Sequence, residues 1–327
     1  MREEAGLDVT AQILQDIYNS AFGLSSRLNP LYCLAMLPIA AFIYRRQKID
    51  QPFFGWLIPR KIYTHASTVT DLKLFVIGRA LALTGLLNAT FIKILVVYLI
   101  TQNLGWSDTG SDLTVLDTVL LALVFTIVAD FCTYWIHRVH HEVKVIWPFH
   151  AVHHSAEVMT PLTVYRKHPI YDLISAMVKA VVTGLVQGLI LALLFGQLSL
   201  ATIGGVTVFF MLFNMVGANF RHSHIWISYG PFWSRIFISP AQHQVHHSLA
   251  HKHWHKNYGE IFAVWDWMFD TLYVPEDKEF MAFGLSTPDG ARIEQPYPTA
   301  LAALINPFQE AADQFNRSEK SIEIKVK

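Results

Sequence analysis

Apolar residues run along this chain in stretches far longer than a strand or an ordinary core helix requires. Leu31–Tyr44 is 14 residues long. Leu72–Ile100 is longer and carries Arg79 and Lys93. Val115–Ile136 contains two acids, Asp117 and Asp130. Leu173–Gly217 is interrupted at Phe195-Gly196-Gln197 and is long enough for two membrane spans. A transmembrane helix needs about 20 mostly apolar residues, so the pattern predicts an all-α, polytopic membrane helix bundle of about four to five spans. Val9–Phe22 shows helical apolar spacing and predicts an interfacial segment within residues 1–30. Residues 31–290 read as a single membrane domain. Residues 291–327 read as a C-terminal cytoplasmic tail whose end, Ser318–Lys327, is polar and expected to be mobile.

Composition supports a membrane protein. Hydrophobic residues make up 53% of the chain and charged residues only 15%, against roughly 25% charged in soluble domains. The 25 basic and 25 acidic residues cancel, which argues against a nucleic-acid partner. The two cysteines, Cys33 and Cys132, lie in apolar runs and offer neither a disulfide framework nor a thiolate zinc site. Lys and Arg collect in 45–73 and 137–168, whereas Thr101–Thr114 and the turn Gly196–Ser199 have none. The positive-inside rule then places the first two segments, and everything after Arg221, in the cytoplasm. The expected location is a bacterial inner membrane with the cap facing the cytoplasm, or the endoplasmic reticulum in a eukaryote.

That cap holds the outlier of the composition. Of 16 histidines, 15 fall between His137 and His255. They include three copies of H-x-x-H-H: His137/His140/His141, His150/His153/His154 and His243/His246/His247. Residues at i, i+3 and i+4 share a helix face, so each box is expected to aim two or three imidazoles at one point. Imidazole is a common ligand for transition metals. Eight such ligands exceed what one ion takes and suit two. His168 and His222, at the two ends of the fourth apolar stretch, are candidate further ligands. His224, His251, His253, His255 and His65 read as structural or solvated. Asp130 lies two helical turns before His137 within an apolar span, a costly place for an acid. It is expected to orient a ligand ring through its N–H.

Asp130-Phe-Cys-Thr-Tyr134-Trp135-Ile-His137-Arg138-Val-His140-His141 resembles the first histidine box of the fatty acid hydroxylase and sterol desaturase superfamily. His150-Ala-Val-His153-His154 resembles the second. His243-Gln-Val-His246-His247, with Asn257-Tyr258-Gly259 and Trp265-Asp266 following, resembles the third and its trailing signature. The resemblance covers about 115–275. It implies an integral-membrane, non-haem di-iron oxidoreductase that hydroxylates a lipid C–H bond with O₂ and two electrons. It also implies metal ligands at His137, His141, His150, His153, His154, His243, His246 and His247, with His168 and His222 as additions. Two departures stand out. Asp270 occupies a position where the family usually has Gly. His140 is extra, and with Asp130 it is a candidate for a supporting catalytic role such as proton handling. No haem-binding His-Pro-Gly-Gly motif is present, so electrons are expected from a separate donor, a ferredoxin or cytochrome b5 type with its reductase. The substrate is expected to be a membrane lipid or sterol whose alkyl chain enters from the bilayer between spans. A desaturase with the same site is the nearest alternative, and a histidine-rich metal transporter is the alternative from another class.

Overall fold

The computed structural model describes residues 2–105, 114–195, 208–209, 211–287 and 289–326. It is all-helical; among the described residues there are isolated β-bridges but no strand. Ten helices frame and position the histidine boxes: α1 Arg2–Phe22, α2 Pro30–Arg46, α3 Ala66–Leu83, α4 Thr90–Leu104, α5 Val115–Glu142, α6 Trp147–His154, α7 Pro169–Ile190, α8 Pro240–His246, α9 Val264–Met268 and α10 Ala300–Val326. Local chemistry explains several starts. Asn29 accepts a hydrogen bond from the Leu31 amide ahead of α2, and Thr114 and Asp117 form a reciprocal capping box at the start of α5.

Of the four to five spans expected, two helices among the described residues are long and apolar enough to cross a bilayer: α5 and the stretch from Pro169 to Leu193 that begins with α7. Only 28% and 33% of their most apolar windows are buried inside the protein. Val115, Leu116 and Leu120 on α5 point outward. A helix that is apolar on its outer side needs lipid around it. Leu72–Ile100 is not one continuous helix. It breaks after Leu83, where Gly85 takes φ +74° and the Asn88 side chain accepts from the Thr90 amide. The first half, in α3, carries Asp71, Lys73 and Arg79; the second half is the short apolar α4. The turn expected at Gly196–Ser199 and most of the loop Thr101–Thr114 lie outside the described residues. The tail is irregular up to Ala300 and helical from there as far as it is described, since α10 runs through Val326.

Helix α4 packs on α7, and glycine sets the approach. A Cβ added at Gly188 would lie 2.8 Å from the Ile100 side chain. Helices α5 and α7 pack together as well, so the C-terminal end of one and the N-terminal end of the other meet beneath the cap. Apolar burial is divided among three small clusters. Between them the interior is polar. Arg166 and Asp71 are fully buried and paired at 3.0 Å. Arg166 also donates to the Val152 carbonyl at 2.8 Å and to Ser155 Oγ at 2.9 Å, which fixes the end of α6. Arg166 belongs to the basic set of 137–168, yet it is an internal strut and says nothing about which side of the membrane that segment faces.

Candidate metal centre

The last two turns of α5, all of α6, the 3₁₀ turn Ala218–His222 and α8 converge on one buried space. Nine imidazoles there form two groups. His137, His141, His150, His154 and His246 make one; His153, His222, His243 and His247 make the other. Within each group the candidate ligand atoms lie within 4.8 Å of one another. Each i,i+4 pair of the first two boxes stays together, 137 with 141 and 150 with 154, and so does 243 with 247 in the third. The i+3 member of the second and third boxes goes to the other group. Positions i+3 and i+4 are one residue apart, about 100° around a 3.6-residue helix, so one box can serve two points. The expectation that each box aims at a single point holds only for the first.

The nitrogens face each other closely. His154 Nε2 is 3.2 Å from His150 Nε2 and 3.1 Å from His246 Nε2. His222 Nε2 is 3.2 Å from His153 Nε2 and 3.0 Å from His243 Nε2. Burial first, and neighbouring imidazoles after it, push His150, His153, His154, His222, His243, His246 and His247 well below the ordinary histidine range. The rings are thus neutral with lone pairs directed inward. Facing lone pairs repel unless a cation lies between them. Two nitrogens bound at right angles to one ion at about 2.1 Å are separated by about 3.0 Å, which matches these contacts. The buried Nε2 atoms of His137, His141 and His247 have no hydrogen-bond partner among the described residues. The residues therefore fit two first-row transition ions. An all-nitrogen set disfavours magnesium and calcium.

The first group is held by the loop 256–258. His137 Nδ1 donates to the Tyr258 carbonyl and His246 Nδ1 to the Lys256 carbonyl, each at 2.8 Å, which leaves Nε2 free for a metal. Asp266 positions that loop by accepting from the amides of Tyr258 at 2.7 Å and Gly259 at 2.8 Å and from Thr271 Oγ1 at 2.6 Å. Burial pushes its carboxyl up to about 6 despite these donors. Gly259 is required: an added Cβ would lie 2.5 Å from the Phe262 carbonyl oxygen and 2.8 Å from Asp266 Oδ2. The second group is held through the backbone instead. Gln244 Nε2 donates to the carbonyls of Phe220, Ser223 and Ile225, pinning the turn that carries His222 onto α8. Nδ1 of His243 and His247 has no partner among the described residues.

The remaining candidates sit elsewhere. His168, expected as a ligand, caps α7. Its Nδ1 accepts from the Ile170 amide and its Nε2 donates to the Leu304 carbonyl, so neither nitrogen is available. His224 donates to the Trp56 carbonyl. Asp130 does not reach a ligand ring. It accepts from the amides of Ile261 and Phe262 and from Trp265 Nε1 at 2.8, 3.1 and 2.9 Å, securing the loop after the first group's props. His140 turns its Nδ1 back to the Ile136 carbonyl at 2.7 Å and lies beside the first group, outside it. Sequence reasoning missed Tyr171, Asp71, Arg166 and Gln244. Asp71 carried the one available signal, an acid at the edge of an apolar run.

A cavity of about 520 Å³ reaches the histidines, with His141, His154, His246 and His247 on its wall. Trp147, Leu249, Trp254 and Leu285 make much of the rest apolar. None of its lining residues comes from α4 or α7. On the side facing the spans, Tyr171 stacks on His150 with ring centroids 4.8 Å apart and lies 4.6 Å from His140. This cavity lies on the cap side of the histidines.

Residues 122–271 match the fatty acid hydroxylase family model. Alkylglycerol monooxygenase of Danio rerio is 30% identical over 161 residues, 49% of this chain and 32% of the relative. Ornithine lipid hydroxylase OlsE of Rhizobium tropici is 31% identical over 160 residues, 48% of this chain and 42% of the relative. Delta(7)-sterol-C5(6)-desaturase of Nicotiana tabacum is 21% identical over 237 residues, 69% of this chain and 77% of the relative. The chain spans about a third of the length of the alkylglycerol monooxygenases it matches. No solved structure matches.

Proposed function

We propose that this protein is an integral-membrane lipid hydroxylase with two non-haem iron ions; the match of residues 122–271 to the fatty acid hydroxylase family model and the similarity to lipid hydroxylases and a sterol desaturase support the reading. The observation that carries the reading is the division of nine imidazoles, eight of them buried, into two groups beside one largely apolar cavity. When bound, iron supplies the two-electron activation of O₂ that places one oxygen atom in a lipid C–H bond and releases the other as water. The chain supplies the rest. The Tyr258 and Lys256 carbonyls hold His137 and His246 with Nε2 inward. Gln244 fixes His222. Trp147, Leu249 and Trp254 line the cavity with apolar surface that takes an alkyl segment and excludes water. The electrons come from a separate donor, a ferredoxin or cytochrome b5 type with its reductase. The cap faces the cytoplasm, in a bacterial inner membrane or the endoplasmic reticulum.

Removal of a second hydrogen in place of oxygen insertion gives a desaturase from the same site. The match to a sterol desaturase over 69% of the chain keeps that reading as the second one. Detergent-purified protein is expected to hold two irons, to consume O₂ upon reduction, and to lose both properties in a His153→Ala, His246→Ala double variant. Lipid analysis of cells with and without the protein then separates hydroxylated from unsaturated products. Protein that carries no metal after iron reconstitution, with the double variant indistinguishable from it, would refute the proposal.

A further inference from the structure

The cavity has two kinds of boundary that matter here. Its floor is candidate metal-ligand histidine, and its outer wall is formed by Gly284, Leu285, Ser286, Thr287 and Ile293 with Gln314 of α10. That outer wall lies beyond residue 271, where the family match ends. The loop 284–293 is a built element. The Thr287 amide donates to the Ala291 carbonyl and the Ile293 amide to the Leu285 carbonyl, each at 2.9 Å, so this segment folds back on itself. It is tied to the second box, because Arg292 pairs with Glu157 at 2.6 Å and Gln295 Nε2 donates to the Ser155 carbonyl at 2.7 Å. It is tied to the chain just after the third box as well, because the Leu249 amide donates to the Ala282 carbonyl at 2.9 Å and Ser286 Oγ to the Leu249 carbonyl at 3.2 Å.

We infer that the loop 284–293 is the specificity wall of the cavity: it sets which alkyl segment of a lipid can lie against the ligand histidines, and Ile293 is its principal gauge. The inference rests on the proposed lipid oxidase. The floor cannot vary without loss of a candidate ligand. The outer wall can change without touching it. Ile293 presents its side chain to the cavity and holds its place in the loop by its backbone, so its size can be changed while the loop stays anchored. One methylene too many or too few in an apolar pocket shifts selectivity by roughly 10-fold or more.

The test uses the full-length, iron-loaded protein in detergent, with straight-chain alkylglycerols of graded length as probes, half of them brominated along the chain. Bromine quenches tryptophan at contact, and the Trp254→Phe variant isolates the contribution from the cavity wall. Ile293→Phe is expected to weaken binding of the longest probes about 10-fold and spare the shortest. Ile293→Ala is expected to shift the preference toward longer chains. Metal content should match wild type in both, which excludes misfolded protein from the comparison. Identical length profiles in wild type, Ile293→Phe and Ile293→Ala, at full metal content, would overturn the inference. So would quenching indifferent to Trp254→Phe. Length-dependent binding without oxidation of any lipid would refute the proposed oxidase and leave the wall standing. Oxidation by wild type with unchanged profiles in the variants would do the reverse.

Discussion

The two histidine groups look alike in composition and differ in how they are held. The first grips its rings: two of its five imidazoles are fixed by main-chain carbonyls of the 256–258 loop, and Asp266 fixes the loop. The second grips its backbone: Gln244 clamps the His222 turn to α8, and Nδ1 of His243 and His247 carries no partner among the described residues. Rings fixed by hydrogen bonds have a set tautomer and orientation before any metal arrives. Rings placed by packing alone, such as His247 stacked on His154 at 4.3 Å, can still turn. Two rings of the first group thus have their orientation set by the main chain, whereas His243 and His247 of the second gain none from Nδ1.

The harshest way to break the comparison is to remove both groups at once. His154→Ala with His247→Ala should abolish metal binding altogether and with it all O₂-dependent turnover, read by metal analysis and oxygen electrode. Single removals should then separate the groups: His137→Ala spares the ion of the second group, and His222→Ala spares that of the first, so each leaves one ion per chain. Next come the supports. Asp266→Ala should weaken the first ion about 10- to 100-fold and Gln244→Leu the second by a similar factor, measured by competition with a chelator. A crossed result, with Asp266→Ala acting on the second ion, would erase the distinction between a ring-held and a backbone-held group.

Acid gives a sharper contrast. Seven histidines of the two groups, all outside the span-forming helices, are pushed by burial well below their unfolded value of about 6.5. Below that value the unfolded chain binds protons that the folded one refuses. The metal-free protein is therefore fully stable above about pH 6.5 and loses stability steadily as pH falls below it. Bound metal should delay this loss, and thermal melts against pH, with and without chelator, report it. The smallest expected effect concerns Asp270, which takes φ +58° beside the first group's props. This left-handed conformation suits glycine, so Asp270→Gly should raise stability by about 0.5–1 kcal/mol with metal content unchanged.

Much of the site was legible in the sequence because helical spacing is local. The i,i+4 pairs 137/141, 150/154 and 243/247 could be read directly, and the departure at Asp270 marked a turn whose backbone is indeed unusual. The partition into two groups was not legible, since it depends on how α6 and α8 cross, and only tertiary packing sets that. His168 and His222 had equal standing in the sequence. One became a cap with both nitrogens engaged and the other a member of the second group. Asp130 was found for the right reason, a costly buried acid, but its partners are the amides of Ile261 and Phe262, which lie some 130 positions away. In the fold, average hydropathy concealed the break at Gly85, because Leu86, Leu87 and Ala89 keep the connecting segment apolar.

Both groups take members from α8 and its last turn: His246 for one, His243 and His247 for the other. The other members all lie earlier in the chain. During synthesis, then, neither site can close until the ribosome has passed residue 247, by which time α5 and α7 have already been made. While residues 155 to 247 are being added, the nascent chain carries the six imidazoles of the first two boxes without the third, and any ion captured then is held by an incomplete set.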